Sequence, residues 1–420
     1  MPYPHRILRL LSFLFLIVIQ ICSCSSTENA VEEYSFDLIE EDGIPVAVTR
    51  GGPKYNEELF IYEPVVTLHE DQRHESLLYN PTQFVMDERG WFYVYDSDGD
   101  YLIAVFDSTG RFSHSFGRKG AGPGEFRSPR FQSVCNGCII LWDPSQRRVT
   151  RYTTEGVLID VIPVTRSFGY SITRYFITDD DRRVLLERET EFSRDGPIYQ
   201  VGFTVENAGG DTLATLKSEK INTGYMGKMN LGGRMQEMPM MYVFGPNPSA
   251  NYMEGTGILI WCSWSALLDI YDFDGNLSRK IRIEMEPEPP SREEREEVRA
   301  YYRRLIEEEE AARDYFESEL KYMRFPDYKA PWSFIETDER GYIWLRYNDI
   351  PDYELMREEG YMYHIISPEG EYLGITQRPP GLGTYLRDGF LLNNYSDLET
   401  GNFQFTKFRI RSAIAGFNYP

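Results

Sequence analysis

The chain has 420 residues, 41% of them hydrophobic and 15% aromatic, enough for a large core and too long for a typical small domain. Its formal net charge is −22, a surface that repels nucleic acid and anionic headgroups and excludes both as partners. The 30 tyrosines and 25 phenylalanines fit a β-rich chain.

Residues 1–23 read as an export leader. His5, Arg6 and Arg9 give a basic start, and Leu10 to Ile21 is an apolar stretch too short to span a bilayer comfortably. The junction Ile21-Cys22-Ser23-Cys24-Ser25 resembles the bacterial lipoprotein signal: an aliphatic residue and two small ones ahead of the Cys that is lipidated. That resemblance implies cleavage before Cys24, a lipid on Cys24, and membrane attachment through this anchor only. Ser25 implies sorting to the outer membrane, or its periplasmic side, in a cell with two membranes. Losing Arg6 and Arg9 with the leader takes the net charge to −24. Residues 24–33 are polar and read as a tether. Residues 34–420 are the folded domain.

Leu59 to Leu68 is an apolar run with no partner strands nearby in sequence. The stretch from Asn80 to Phe116 is a complete four-stranded unit. Phe84-Val-Met leads to the tight turn Asp87-Glu-Arg-Gly90, then to Trp91-Phe-Tyr-Val-Tyr, which can be buried on both faces. Tyr101 to Phe106 and Arg111 to Phe116 follow, joined by Asp107-Ser-Thr-Gly110, where Gly supplies a left-handed turn position.

This unit recurs. Its inner turn and second strand return at 131–143, 175–188, 252–264, 334–347 and 385–394, and its outer hairpin at 151–158, 204–213, 270–277 and 365–373. The last unit ends the chain one strand short. The run at 59–68 is therefore expected to supply that strand and close a ring, with short strands such as Ile44–Val48 packed outside. The predicted fold is all-β: a six-bladed β-propeller of four-stranded antiparallel blades, closed by an N-terminal strand, with one helical insertion. The string Phe116-Gly-Arg-Lys-Gly-Ala-Gly-Pro-Gly-Glu-Phe126 resembles a family of exported bacterial six-bladed propeller lipoproteins related to NHL-repeat propellers. The resemblance implies the fold, export, and often a binding role without an assigned substrate.

The long insertions fall at 217–239, 285–330 and 347–361, all on the propeller face that carries the blade-to-blade links, and any site is expected there. The 285–330 insertion opens with the capping box Ser291-Arg-Glu-Glu294 and continues at helical spacing through Val298, Tyr301 and Leu305 to Met323. It reads as a helix packed on the propeller rim, or as a partner-binding or lid helix.

No catalytic residues are predicted. His114 and His364 fall on outer strands, and neither a Gly-x-Ser-x-Gly nor a His-Glu-x-x-His motif occurs. Asp96 and Asp143 end equivalent second strands and read as turn caps rather than metal ligands. Cys135-Asn-Gly-Cys138 occupies a hairpin slot, which places its two cysteines opposite each other as a possible disulfide.

The candidate ligand-binding residues are Arg118, Lys119 and Arg130, a basic link in an acidic chain suited to an anionic group, together with Gln132, Tyr170 and Trp332, which begin inner strands and are expected to line the funnel. The same link also reads as a structural brace. The expected function is a monomeric, lipid-anchored, non-catalytic propeller that binds an envelope protein, peptide or glycan, with no cofactor. The alternative is a calcium-dependent lactonase-like hydrolase or lyase with its site in the central channel.

Overall fold

A computed structural model describes residues 33–69, 78, 81–99, 102–135, 137–164, 170–231, 233–262, 264–348, 360–381, 383–396 and 403–419. The leader, Cys24 and most of the tether lie outside these residues, as do 349–359 of the third insertion.

Six sheets follow one another around a ring, and their inner strands are Pro81–Met86, Arg130–Cys135, Tyr170–Ile177, Ser249–Met253, Trp332–Thr337 and Gly383–Arg387. These strands open blades 1 to 6 in that order. Blade 6 contains only three strands from the C-terminal end of the chain. Its fourth is Phe60–His69, which pairs antiparallel with Phe403–Ser412 from Phe60↔Ser412 to His69↔Gln404. The ring thus closes with the predicted strand.

The N-terminal hairpin Ser35–Glu41 and Ile44–Arg50 extends blade 4 outward to six strands, with Ile44–Arg50 running parallel to Leu277–Ile283. The next stretch straps this hairpin to blade 5. Lys54 N and Tyr55 N donate to Tyr372 O and Leu373 O, and Lys54 Nζ lies 2.9 Å from Glu371.

There is no central ball of core. Apolar residues gather instead in wedges between neighbouring blades. Phe92 and Val94 pack toward blade 6, while Tyr93 and Tyr95, on the other face of the same strand, pack toward blade 2. That is the period of two expected of a strand, and it explains why second strands such as Phe92–Asp96 are apolar without interruption. Trp261 and Trp332 meet edge to face, 6.0 Å apart, in the wedge between blades 4 and 5.

The predicted single helix is two. Helix α1, Arg292–Glu308, has both halves of the capping box: Glu294 N donates to Ser291 Oγ, and Ser291 N donates to the Glu294 carboxylate. A single 3-10 turn at Glu310–Ala312 then leads into α2, Arg313–Tyr322. The break has an electrostatic reason. Glu307 to Glu310 place four carboxylates at the negative end of the α1 dipole, and no basic residue sits in its last turn.

The helices do not lie only on the rim. α2 packs on a hairpin formed by the 217–239 insertion, Gly224–Leu231 with Arg234–Met241. Asn230 N donates to Ser318 Oγ at 3.0 Å, and Asn230 Nδ2 to Asp314 at 3.1 Å. Two insertions distant in sequence thereby form one cap. Buried Lys329 pins it to blade 5, with Nζ 2.6 Å from Glu294 and 3.0 Å from the Tyr347 hydroxyl.

Candidate functional site

Inner strands of all six blades enclose a central cavity of about 400 Å³. A repeated irregularity shapes its wall. The pairing of first and second strands skips one residue at Thr82, Gln132, Thr173 and Ser333 in blades 1, 2, 3 and 5. Such a bulge bends the strand and re-aims its side chains, and Thr82, Gln132 and Thr173 line the cavity.

Polar side chains lace the inner strands together from blade to blade. Gln83 accepts from Phe131 N and donates to Pro129 O, joining blades 1 and 2. Gln132 accepts from Tyr175 N at 2.7 Å, joining blades 2 and 3. Arg174 donates to Asn251, which donates to Ile335 O, carrying the connection through blades 3, 4 and 5. Asp388 N donates to Glu339, and Asn394 Nδ2 to Pro81 O, completing the circuit through blade 6.

The sequence candidates separate. Arg130 and Gln132 line the cavity. The Gln132 amide is engaged by backbone groups, donating also to Phe131 O. Trp332 does not line the funnel: it is fully buried in the wedge between blades 4 and 5, because its strand turns that face to Trp261 rather than to the channel. Tyr170 begins the blade 3 inner strand, but its side chain lies outside the described residues.

Arg118 and Lys119 are exposed on a two-residue strand paired parallel with Glu125–Phe126, away from the cavity. The link between them is braced from blade 2. Arg148 Nη2 donates to Gly122 O and Glu125 O at 2.6 Å each, and the Tyr152 hydroxyl donates to Gly124 O at 2.7 Å. Gly124 has φ +76°, and a Cβ there would stand 3.0 Å from that hydroxyl, so the motif requires Gly on both counts. Phe126 is fully buried between blades 1 and 2. Cys135 and Cys138 are register partners across their hairpin, and the Cys135 side chain lies outside the described residues.

Asp143 caps its turn as expected, accepting from Ser145 N and Gln146 N, and its second oxygen accepts from Arg127 N at 2.8 Å. Asp96 accepts from Asp98 N. The Asp-Glu-Arg-Gly turns of blades 1 and 5 share one design. Asp87 accepts from Arg89 N, Trp91 N and the Tyr93 hydroxyl. Asp338 accepts from Arg340 N, Tyr342 N and the Tyr419 hydroxyl. Burial raises the Asp338 carboxyl above its ordinary range against the pull of these donors.

Sequence reading missed a set of channel charges. Asp179, Glu254, Glu336 and Glu339 reach the cavity, as do Arg174 and Arg387. Most stand at or just beyond the ends of inner strands, toward the face with short hairpins rather than the face with the insertions. Burial raises Glu339 and lowers Arg174 from their ordinary values. Glu336 is paired at 2.6 Å with Arg378, which is fully buried between the rings of Trp344 and Tyr363. Among the described residues no group of three His, Cys, Asp or Glu side chains is placed to hold a metal ion.

No family model matches the sequence, and no curated protein matches it. Solved structures match the fold. A streptogramin B lyase aligns over 84% of this chain and 98% of its own at 10% identity, with a TM-score of 0.37. A luciferin-regenerating enzyme aligns over 86% and 97% at 10% identity, TM-score 0.40. Regucalcin, a calcium-binding protein from Agrobacterium tumefaciens, aligns over 79% and 92% at 9% identity, TM-score 0.34. These likenesses reach no further than the propeller outline.

Proposed function

We propose that this chain is a lipid-anchored, non-catalytic propeller of a bacterial cell envelope that binds a protein or peptide through the cap on its long-loop face. One observation carries the reading: the two insertions fuse into a single cap that exposes methionine and aromatic side chains among its charged ones. Met235 and Met241 on the hairpin, Tyr315 on α2 and Trp264 on blade 4 are all exposed. Methionine surfaces repack against varied partners, and aromatic residues anchor them. An anchor at Cys24 would keep the propeller at a membrane of the envelope.

The test is selection from a displayed peptide library on the leader-free chain, followed by affinity measurement on Met235→Glu/Met241→Glu. The selected peptides are expected to lose about tenfold or more in affinity, the effect of placing two charges in an apolar contact. Unchanged affinity, with the variant folded, removes the cap from the account.

The alternative is a calcium-dependent enzyme with its site in the channel; Asp179, Glu254, Glu336 and Glu339 line that wall, but among the described residues they are not grouped to hold a metal ion. Stabilisation by millimolar calcium would favour it.

A further inference from the structure

Three arginines line the channel of an otherwise acidic protein: Arg130 from blade 2, Arg174 from blade 3 and Arg387 from blade 6. Arg387 is occupied, with Nη1 donating to Val134 O at 2.9 Å and Nε 3.5 Å from Asp388. Arg174 is not. One of its five N–H donors meets Asn251 Oδ1 at 3.0 Å. It makes no ion pair among the described residues. The carboxylate acting on it, Glu336, is held 2.6 Å from Arg378 instead.

A half-buried guanidinium facing a cavity with only a neutral amide for company is costly unless something else supplies the counter-charge. The cavity of about 400 Å³ is large enough to admit that group on a small molecule. We propose that the central channel is a second binding site, independent of the cap, for a small amphoteric carboxylate of the α-amino-acid class, whose carboxylate pairs with Arg174.

The remaining channel charges define the rest of the ligand. A planar guanidinium matches a carboxylate through two parallel hydrogen bonds. Asp179, Glu254 and Glu339 stand toward the short-hairpin mouth of the same cavity. At that mouth they favour an ammonium over a second anionic group, so an amino acid is preferred to a dicarboxylate without an amine. Arg378 has an indirect part: by holding Glu336 it keeps Arg174 open to the ligand.

The test is thermal shift and calorimetry on the leader-free chain with each of the twenty common L-amino acids, their carboxamides, and succinate. At least one amino acid is expected to bind, its carboxamide and succinate to bind at least about tenfold more weakly, and Arg174→Gln to lose about tenfold or more. Arg174→Lys, which keeps the charge but not the fork, is expected to fall between, and Arg118→Gln on the exposed link to leave binding unchanged. If Arg174→Gln fails to fold, Arg174→Lys carries the comparison. Binding by none of the twenty, equal binding of the carboxamides, or full binding by Arg174→Gln each overturns the proposal. Because the site is separate from the cap, Met235→Glu/Met241→Glu is expected to bind the amino acid normally, so the two readings fail separately.

Discussion

Arg378→Met lowers the unfolding free energy by about 3–5 kcal/mol, the range for removing one partner of a buried ion pair. Arg378 follows the last strand of blade 5 and is fully buried, with its guanidinium 3.8 Å from the Tyr363 ring centroid, 4.6 Å from that of Trp344, and 2.6 Å from Glu336. Methionine fills much of the volume but removes the guanidinium that pairs with the half-buried Glu336. The expected signature is partial rescue: Glu336→Gln in the Arg378→Met background restores part of the loss, because the uncompensated charge is gone. Denaturant midpoints with unchanged slopes measure this. A loss under about 1 kcal/mol would mean that the pair is more hydrated than its burial indicates.

Trp332→Ala is expected to cost about 3–5 kcal/mol, the usual range for emptying a fully buried indole site. Its ring packs edge to face on Trp261 and lies among Ile335, Ile343 and Leu345 of its own blade and Leu259 and Leu268 of blade 4. The cavity would open between blades, where no neighbouring element can collapse into it without shifting a whole sheet. A funnel-lining Trp332 would show the opposite pattern, near-native stability with loss of ligand binding. Thermal denaturation beside the amino-acid binding assay separates the two.

The blades were legible because their punctuation is local. Asp-Ser-Thr-Gly at 107–110 and Asp-Glu-Arg-Gly at 87–90 and 338–341 each specify a turn from within four residues, and all three form. Ring closure was legible by subtraction, since one sheet lacked a strand and one strand lacked a sheet. The helix break at Glu309 required weighing the dipole against the apolar period, and the acidic run 307–310 was the available signal. The cap was not legible, because the Asn230 contacts to Ser318 and Asp314 join residues 88 and 84 positions apart.

The channel charges were hidden for another reason. Asp179, Glu254 and Glu339 sit in turns, where acids are ordinary, and only the ring symmetry brings the six turns around one axis. Arg174 lies mid-strand in Tyr170–Ile177, and a one-residue bulge at Thr173 decides which way it points. Trp332 was misplaced by the same uncertainty of phase.

Hydrogen–deuterium exchange with and without the highest-affinity selected peptide tests the central claim most directly, because it reports where the partner sits. Binding at the cap predicts added protection at 224–241 and 313–322, with the inner strands of blades 1 to 3 unchanged. Protection confined to 81–86, 130–135 and 170–177, with the cap exchanging as before, would place the partner in the channel and contradict the account.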